Sequence, residues 1–407
     1  MTRIPIHLPL LLASQLQHRI CNEDKKLLSG IPSETIIGEH RVALTPESAK
    51  ELTSRNQTVL IQTVLIQTGA GTGSGYSDDQ YRNAGCQIAN TAKEVWGTTD
   101  LILKVKEPQP PEYNLSRKDS ALFSFLHLAA NLPLANTLLE KSVLGVAYET
   151  VSHPETRFPI LAPMSAIAGQ LAVHAAGHHF QRAHGGLGKL LSKIQGAPAA
   201  EVVVIGAGTA GQNSAHLALA NGANVTLIND TQDRLDQFAH DNQQFASSLK
   251  TVISTTESVE ESAINTDVVI GAVYSPGRRP PVLLKEDQIA KMQQGSVIVD
   301  VAVAVDQGGC FETTHATTLE DPTYVVHGVV HYAVPNMPGA VPKTATSALF
   351  NTTLPYLLSI AEHGIIEALK SDQGFASGVN TYQGKPTDPG LAAIMGVTPT
   401  KFTQAVA

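Results

Sequence analysis

Cysteine is scarce in this chain. Only Cys21, Cys86 and Cys310 occur among 407 residues. They are far apart and odd in number, which argues against a disulfide framework or a CxxC metal site and fits a reducing compartment. Basic clusters are missing too. With 28 Lys and Arg against 36 Asp and Glu, the formal charge is −8, and no basic run offers a footprint for nucleic acid. Long apolar runs are absent, so nothing reads as a membrane span. The nearest approach to a targeting segment is the stretch 4–13 (IPIHLPLLLA), which follows Arg3. Pro5, His7 and Pro9 interrupt it, and no clean small-x-small site follows. It reads as an extension on a cytoplasmic protein rather than a secretory signal. No metal site is expected.

What is present is core-forming material. Apolar residues make up 43% and charged residues 16%, enough for large cores, and the length suggests two or three domains. The middle third alternates strands and helices. A β-branched run at 201–205 precedes a glycine turn, a helix over about 211–221 and a second strand at 224–228. Such a βαβ unit implies a parallel sheet covered on both faces. Further buried strands are expected at 267–272, 296–305 and 323–327. The first third alternates as well, with strands at 58–67, 101–106, 121–127 and 145–149 and helices at 45–54, 77–84, 91–96 and 134–142. The fold class is therefore α/β. The tail from about Lys343 reads as helix (345–363) and then as a polar, Gly/Pro-rich stretch that can return to the first domain.

One local oddity is a direct repeat. TVLIQ at 58–62 recurs at once at 63–67. An odd repeat flips every side chain to the opposite face of a flat strand. One copy is therefore expected to be a bulge, a loop or an edge extension.

Gly206, Gly208 and Gly211 form G-x-G-x-x-G between a strand and a helix. The first glycine permits the turn, the second lets backbone approach a pyrophosphate, and the third allows close helix–strand packing. The helix N-terminus then offers amides and a partial positive charge to phosphates. With the strand, helix and second strand in place, this predicts dinucleotide binding. The ribose carboxylate expected at the end of the second strand is less clear. Asn229 stands there, and Asp230 supplies the charge only if the strand end shifts by one. NAD is the favoured cofactor.

Several segments carry a specific resemblance. EHRVALTP (39–46), GAGTGSG (69–75), KVKEP (104–108), FSFLHLAA (123–130), AYET (147–150), LAPMS (161–165), DQGGCFE (306–312) and VPNMPGAVP (334–342) resemble, in this order, the alanine dehydrogenase family. The likeness runs from about residue 31 to about 385. It implies reversible NAD-dependent oxidative deamination of L-alanine to pyruvate and ammonia, and a homo-oligomer, usually a hexamer. It also implies a Rossmann-type doubly wound NAD domain (161–342) inserted in a split α/β substrate domain (31–160 and 343–407), with 1–30 as an extension.

The resemblance assigns roles that the chemistry supports. His127, at the end of FSFLH, matches the catalytic histidine, and an imidazole can both donate and accept protons. Asp306 matches the second acid–base residue, and a carboxylate at the C-terminal end of a parallel strand faces the ligand crevice. Arg41 and Lys106 match the substrate-binding pair, one gripping a carboxylate and the other polarising the keto oxygen. Lys104, on the same face of the expected strand, stays a second candidate. Cofactor contacts match Ser165, Gly206, Gly208, Thr209, Ala210, Gly211, Asn229, Arg234, Ser254, Val273, Tyr274, Val303, Ala304, Val305, Asp306, His315, Val334, Pro335, Asn336 and Met337.

The chain departs from the family pattern in four places. Asn229 replaces the ribose Asp. His315 stands where many members have Arg. Ser33 and residues 35–38 replace a charged stretch before Glu39. VAVAVD (301–306) is two residues longer than the usual segment, which would move Asp306 by about 6–7 Å if the strand simply lengthened. Two other readings compete: an NAD-binding transhydrogenase component, expected to show Glu-Gln-Gly-Gly where this chain has Asp306-Gln307-Gly308-Gly309, and an impaired NAD-binding homologue.

Overall fold

The computed structural model describes residues 27–54, 61–273, 280–304 and 308–406. The chain divides into two compact units, one from residues 1–161 and 341–407 and the other from 162–340.

The first unit is built on an eight-stranded sheet. Its strands are β1 (Leu27–Ile31), β2 (Ile61–Gln67), β3 (Gln87–Ala89), β4 (Leu101–Leu103), β5 (Ala121–Ser124) and β6 (Leu144–Ala147), with β14 (Val379–Tyr382) and β15 (Lys385–Pro386) from the C-terminal segment. The order is β15-β14-β6-β5-β4-β1-β2-β3. Strands β1 to β6 pair in parallel, and β14 runs antiparallel to β6. Trp96, Leu122, Leu126, Leu134 and Leu138 pack into one core beneath it.

Two expectations change here. The extension read over 1–30 overlaps β1, which lies inside the sheet between β2 and β4. The strand expected at 101–106 stops at Leu103, and that expected at 121–127 stops at Ser124. Both strands therefore end before the polar residues they lead to, Lys104 and Lys106 after β4 and His127 after β5.

The repeat resolves at its junction. Thr63 to Ile66 pair in step with Leu28 to Ile31, while Ile61 pairs with Leu27, so the register slips at Gln62. The second copy keeps the buried register. Residues 58–60 of the first copy lie outside the described residues.

The second unit holds β7 (Glu201–Ile205), β8 (Asn224–Asn229), β9 (Leu249–Ile253), β10 (Val268–Gly271), β11 (Val297–Asp300), β12 (Thr323–Val326) and β13 (Val329–Tyr332). The order β12-β13-β11-β10-β7-β8-β9 is parallel except for β12. Alternate residues of β7 enter different cores. Val202 and Val204 pack with Ala172, Phe180 and Ala215, whereas Val203 and Ile205 pack with Val259, Ile289 and Phe311. A strand buried on both faces cannot alternate apolar and polar, which is why it reads as a continuous run.

The edge was misjudged from sequence. The run 323–327 is not a buried strand: β12 is an antiparallel edge with Val325 61% exposed. It turns through His327 and Gly328, both at positive φ, into the fully buried β13. The strand expected at 296–305 also ends early, at Asp300. Among the described residues, no helix is long and apolar enough to cross a membrane.

Candidate active site

In the first unit, three neighbouring parallel strands deliver the polar residues. Strand β1 leads to Arg41, β4 to Lys106 and β5 to His127, and β1, β4 and β5 are adjacent. All three residues therefore follow C-terminal strand ends, where ligands bind in open α/β sheets. The connecting segments are tied together. Glu34 accepts hydrogen bonds from the backbone N–H of Val105 (2.7 Å) and Lys106 (3.3 Å). Phe125 N–H donates to the Val105 carbonyl at 3.1 Å.

Arg41 is buried and pairs with Glu39, its Nε donating to Oε1 at 2.7 Å. A second guanidinium nitrogen reaches Glu39 Oε2 at 2.5 Å. Such a bidentate pair fixes the plane of the guanidinium. Lys106 is partly exposed, with its ammonium 4.0 Å from Glu107. Lys104 is different. It is 1% exposed and lies 3.2 Å from Glu34 and 3.1 Å from Glu112, off the ideal hydrogen-bond directions. Burial would push its pKa down, but the two carboxylates outweigh that and raise it. Lys104 is thus buried between two carboxylates, whereas Lys106 is partly exposed.

His127 sits at a left-handed corner, with φ +46°. A non-glycine residue there costs about 1–2 kcal/mol, so something must hold it. Glu149 does so. Its Oε1 accepts the backbone N–H of His127 at 2.7 Å and that of Leu126 at 3.2 Å. The same oxygen lies 3.7 Å from His127 Nδ1. Phe125 stacks parallel to the imidazole at 6.1 Å, and Tyr148 meets Phe125 edge-on. The imidazole is 44% exposed, open to a substrate yet held at its root. Glu149 was missed as a site residue, although it lies in the quoted AYET segment.

In the second unit the expected cofactor residues gather on one sheet edge. Gly206 to Gly211 follow β7, Asn229 ends β8, Ser254 follows β9, Val273 follows β10, Val303 and Ala304 follow β11, and Val334 to Met337 follow β13. Gly206 has φ +104°, and a Cβ there would meet the Ala272 carbonyl at 2.7 Å. A Cβ on Gly211 would lie 1.7 Å from the Gly206 carbonyl oxygen. Gly208 caps the Thr209–Ala220 helix without a side-chain hydrogen bond, which leaves its first amides for an anion. These features fit a dinucleotide pyrophosphate. Ser165 lies one turn before Gly169, whose backbone packs against Ala210. Arg234 is exposed on the helix after β8.

Asn229 braces the glycine turn. Its Oδ1 accepts Ala207 N–H at 2.9 Å, and its Nδ2 donates to Thr231 Oγ1 at 2.8 Å and Asp230 Oδ1 at 3.1 Å. His315 is placed otherwise. Its ring stacks on Tyr324 of edge strand β12 at 3.6 Å, four strand positions from β7. Tyr274, Val305 and Asp306 lie outside the described residues.

The two extra residues before Asp306 do not lengthen β11. The chain turns at Val301 and Ala302, and Ala304 forms a bridge with Gly308. A residue missed from sequence anchors this segment. Asp300, 1% exposed, accepts N–H donors from Ala302 (3.0 Å) and Cys310 (2.7 Å) and the Thr314 hydroxyl (2.8 Å). Burial pushes its pKa up to about 6 despite these bonds. The signal was the lone acid inside an apolar run. A recess of about 480 Å³ in the first unit, lined by Thr45, Ser48, Tyr76, Phe350 and Asn351 among others, contains none of the expected site residues.

Family models, relatives and solved structures cover most of the chain. Residues 30–168 match the family model "Alanine dehydrogenase/PNT, N-terminal domain", and 172–389 match "Alanine dehydrogenase/PNT, C-terminal domain". An alanine dehydrogenase of Mycolicibacterium smegmatis is 43% identical over 94% of this chain and 100% of its own length. A solved L-alanine dehydrogenase superposes with a TM-score of 0.84 at 41% identity, covering 91% of this chain and 99% of that one. A transhydrogenase from Sinorhizobium meliloti aligns with a TM-score of 0.74 at 25% identity, over 89% and 99%.

Proposed function

The chain belongs to the alanine dehydrogenase/PNT family, and from that premise we propose that it interconverts L-alanine with pyruvate and ammonia using NAD. The observation that carries this reading is the His127 corner, held by Glu149 on the sheet edge that also bears Arg41 and Lys106. Those three residue types are what an amino-acid carboxylate, a keto oxygen and a mobile proton require.

The roles follow from the chemistry. Arg41, fixed by Glu39, binds the substrate carboxylate. Lys106 polarises the keto oxygen of pyruvate. His127 transfers protons at the substrate nitrogen and oxygen as the carbon centre changes oxidation state. Asp306 is assigned the second acid–base role on the strength of its sequence position. NAD, when bound, supplies the hydride acceptor. The Gly206–Gly211 turn holds its pyrophosphate, and Asn229, Ser254 and Arg234 attend the adenosine half. Val273, Val303, Ala304 and residues 334–337 serve the nicotinamide half. We further infer that the chain works in the cytoplasm as a homo-oligomer, a hexamer by resemblance, which light scattering on the purified protein tests.

The decisive assay is NADH oxidation with pyruvate plus ammonium, run beside NADPH and beside glyoxylate and 2-oxobutyrate. Fastest turnover with NADH and pyruvate is the expected result. Tight NADH binding without turnover of any 2-oxo acid would overturn the enzymatic reading.

A further inference from the structure

The second unit carries a histidine cluster that the nucleotide site does not use. His178 and His179 close the Ala162–His179 helix, and His184 ends the short turn Arg182–His184. Ring centroids lie 4.1 Å apart for His178–His184, 4.9 Å for His178–His179 and 5.8 Å for His179–His184. One ring nitrogen from each comes within 4.8 Å of the other two. An 18-residue helix is roughly 27 Å long, so the cluster stands well away from Ser165 at the other end.

We propose that His178, His179 and His184 form a binding site for a first-row divalent transition metal of the zinc or nickel class. Three imidazoles are donors that such ions prefer, whereas magnesium and calcium prefer oxygen. The helix C-terminus adds the partial negative charge of its last carbonyls, which favours a cation. His179 is buried between the two other histidines and the Tyr332 ring, 5.8 Å away. Among the described residues, none of the three rings has a hydrogen-bond partner to displace. Metal–nitrogen bonds of about 2.0–2.1 Å in a tetrahedron place ligand nitrogens about 3.4 Å apart. His178 and His184 are exposed and close that gap by side-chain rotation, with water in the remaining position.

The test uses the untagged full chain with ZnCl2, NiCl2 and CoCl2 in titration calorimetry and equilibrium dialysis. One ion per chain at micromolar affinity is expected, with a cobalt absorption spectrum of nitrogen ligation. Neither MgCl2 nor CaCl2 should bind there. His184→Ala and the double variant H178A/H184A should raise the Kd at least tenfold while NADH affinity stays unchanged, which also reports a folded second unit. His174, exposed one turn before His178, offers an alternative helical pair. His174→Ala should leave binding intact. No binding by the parent chain would overturn the proposal. So would unchanged binding in His184→Ala, or loss in His174→Ala alone.

Discussion

Removing the Glu149 carboxylate should cost the first unit stability and the enzyme its rate at the same time. Glu149 is buried and accepts the N–H groups of Leu126 and His127. Leu126 is fully buried, so its N–H has no route to water. Hydrogen bonds to a charged acceptor are worth about 1.5–3 kcal/mol each, so Glu149→Ala should lose about 3–6 kcal/mol. The left-handed corner at His127 then loses both of its carboxylate hydrogen bonds, and the imidazole shifts. A displacement on the order of 1 Å costs about 100-fold in rate. Glu149→Gln keeps one carbonyl acceptor and should fall between parent and Ala. The assays are urea unfolding, initial rates of NADH oxidation with pyruvate and ammonium, and NADH fluorescence titration. NADH affinity should be unchanged, because the glycine turn lies in the other unit. A Glu149→Ala protein with kcat within about threefold of the parent would refute the positioning role.

Two further perturbations test the second unit. Gly211→Ala sets a Cβ against the Gly206 carbonyl oxygen, where only backbone can yield. It should destabilise by about 1–3 kcal/mol, and because the turn distorts, NADH should bind at least about tenfold more weakly. Unchanged melting and affinity would remove the turn from the binding site. Asp300→Asn tests the raised carboxyl pKa. The fold favours the protonated acid, so its contribution is full below about pH 3.8 and is lost as pH rises through about 6. Parent-minus-variant stability should therefore fall by up to about 3 kcal/mol between pH 4 and 7. A pH-independent difference in urea unfolding would sink that reading.

Some of this was legible in the residues and some was not. Strand β7 and the glycine turn were plain, because a strand buried on both faces admits only apolar residues and the turn requires glycine. Strand β1 was hidden by Ser29 and Gly30 at its centre. Yet glycine is what fits there: a Cβ on Gly30 would lie within 2.7 Å of Thr99 and Val95. Strand β13 has four residues, too few to show a period. Glu149 and Asp300 were overlooked because both act on backbone amides. A side chain's service to amides elsewhere sets no period in the sequence, and only Asp300, as the lone acid inside an apolar run, left a trace. The histidine trio was overlooked because residues 178 and 184 meet only through the turn between them.

Asp300 also bears on how such a chain can change over generations. One carboxylate fastens both the departure and the return of the chain between Ala302 and Cys310. Residues added inside that clasp are absorbed outside the sheet, where two extra positions in a short loop cost roughly 0.2 kcal/mol of closure entropy. The β10–β11 register stays in step from Val268 to Gly271. A lineage can thus lengthen or trim the segment bearing Asp306 without rebuilding the core, and selection can tune reach at that point while the sheet is inherited intact.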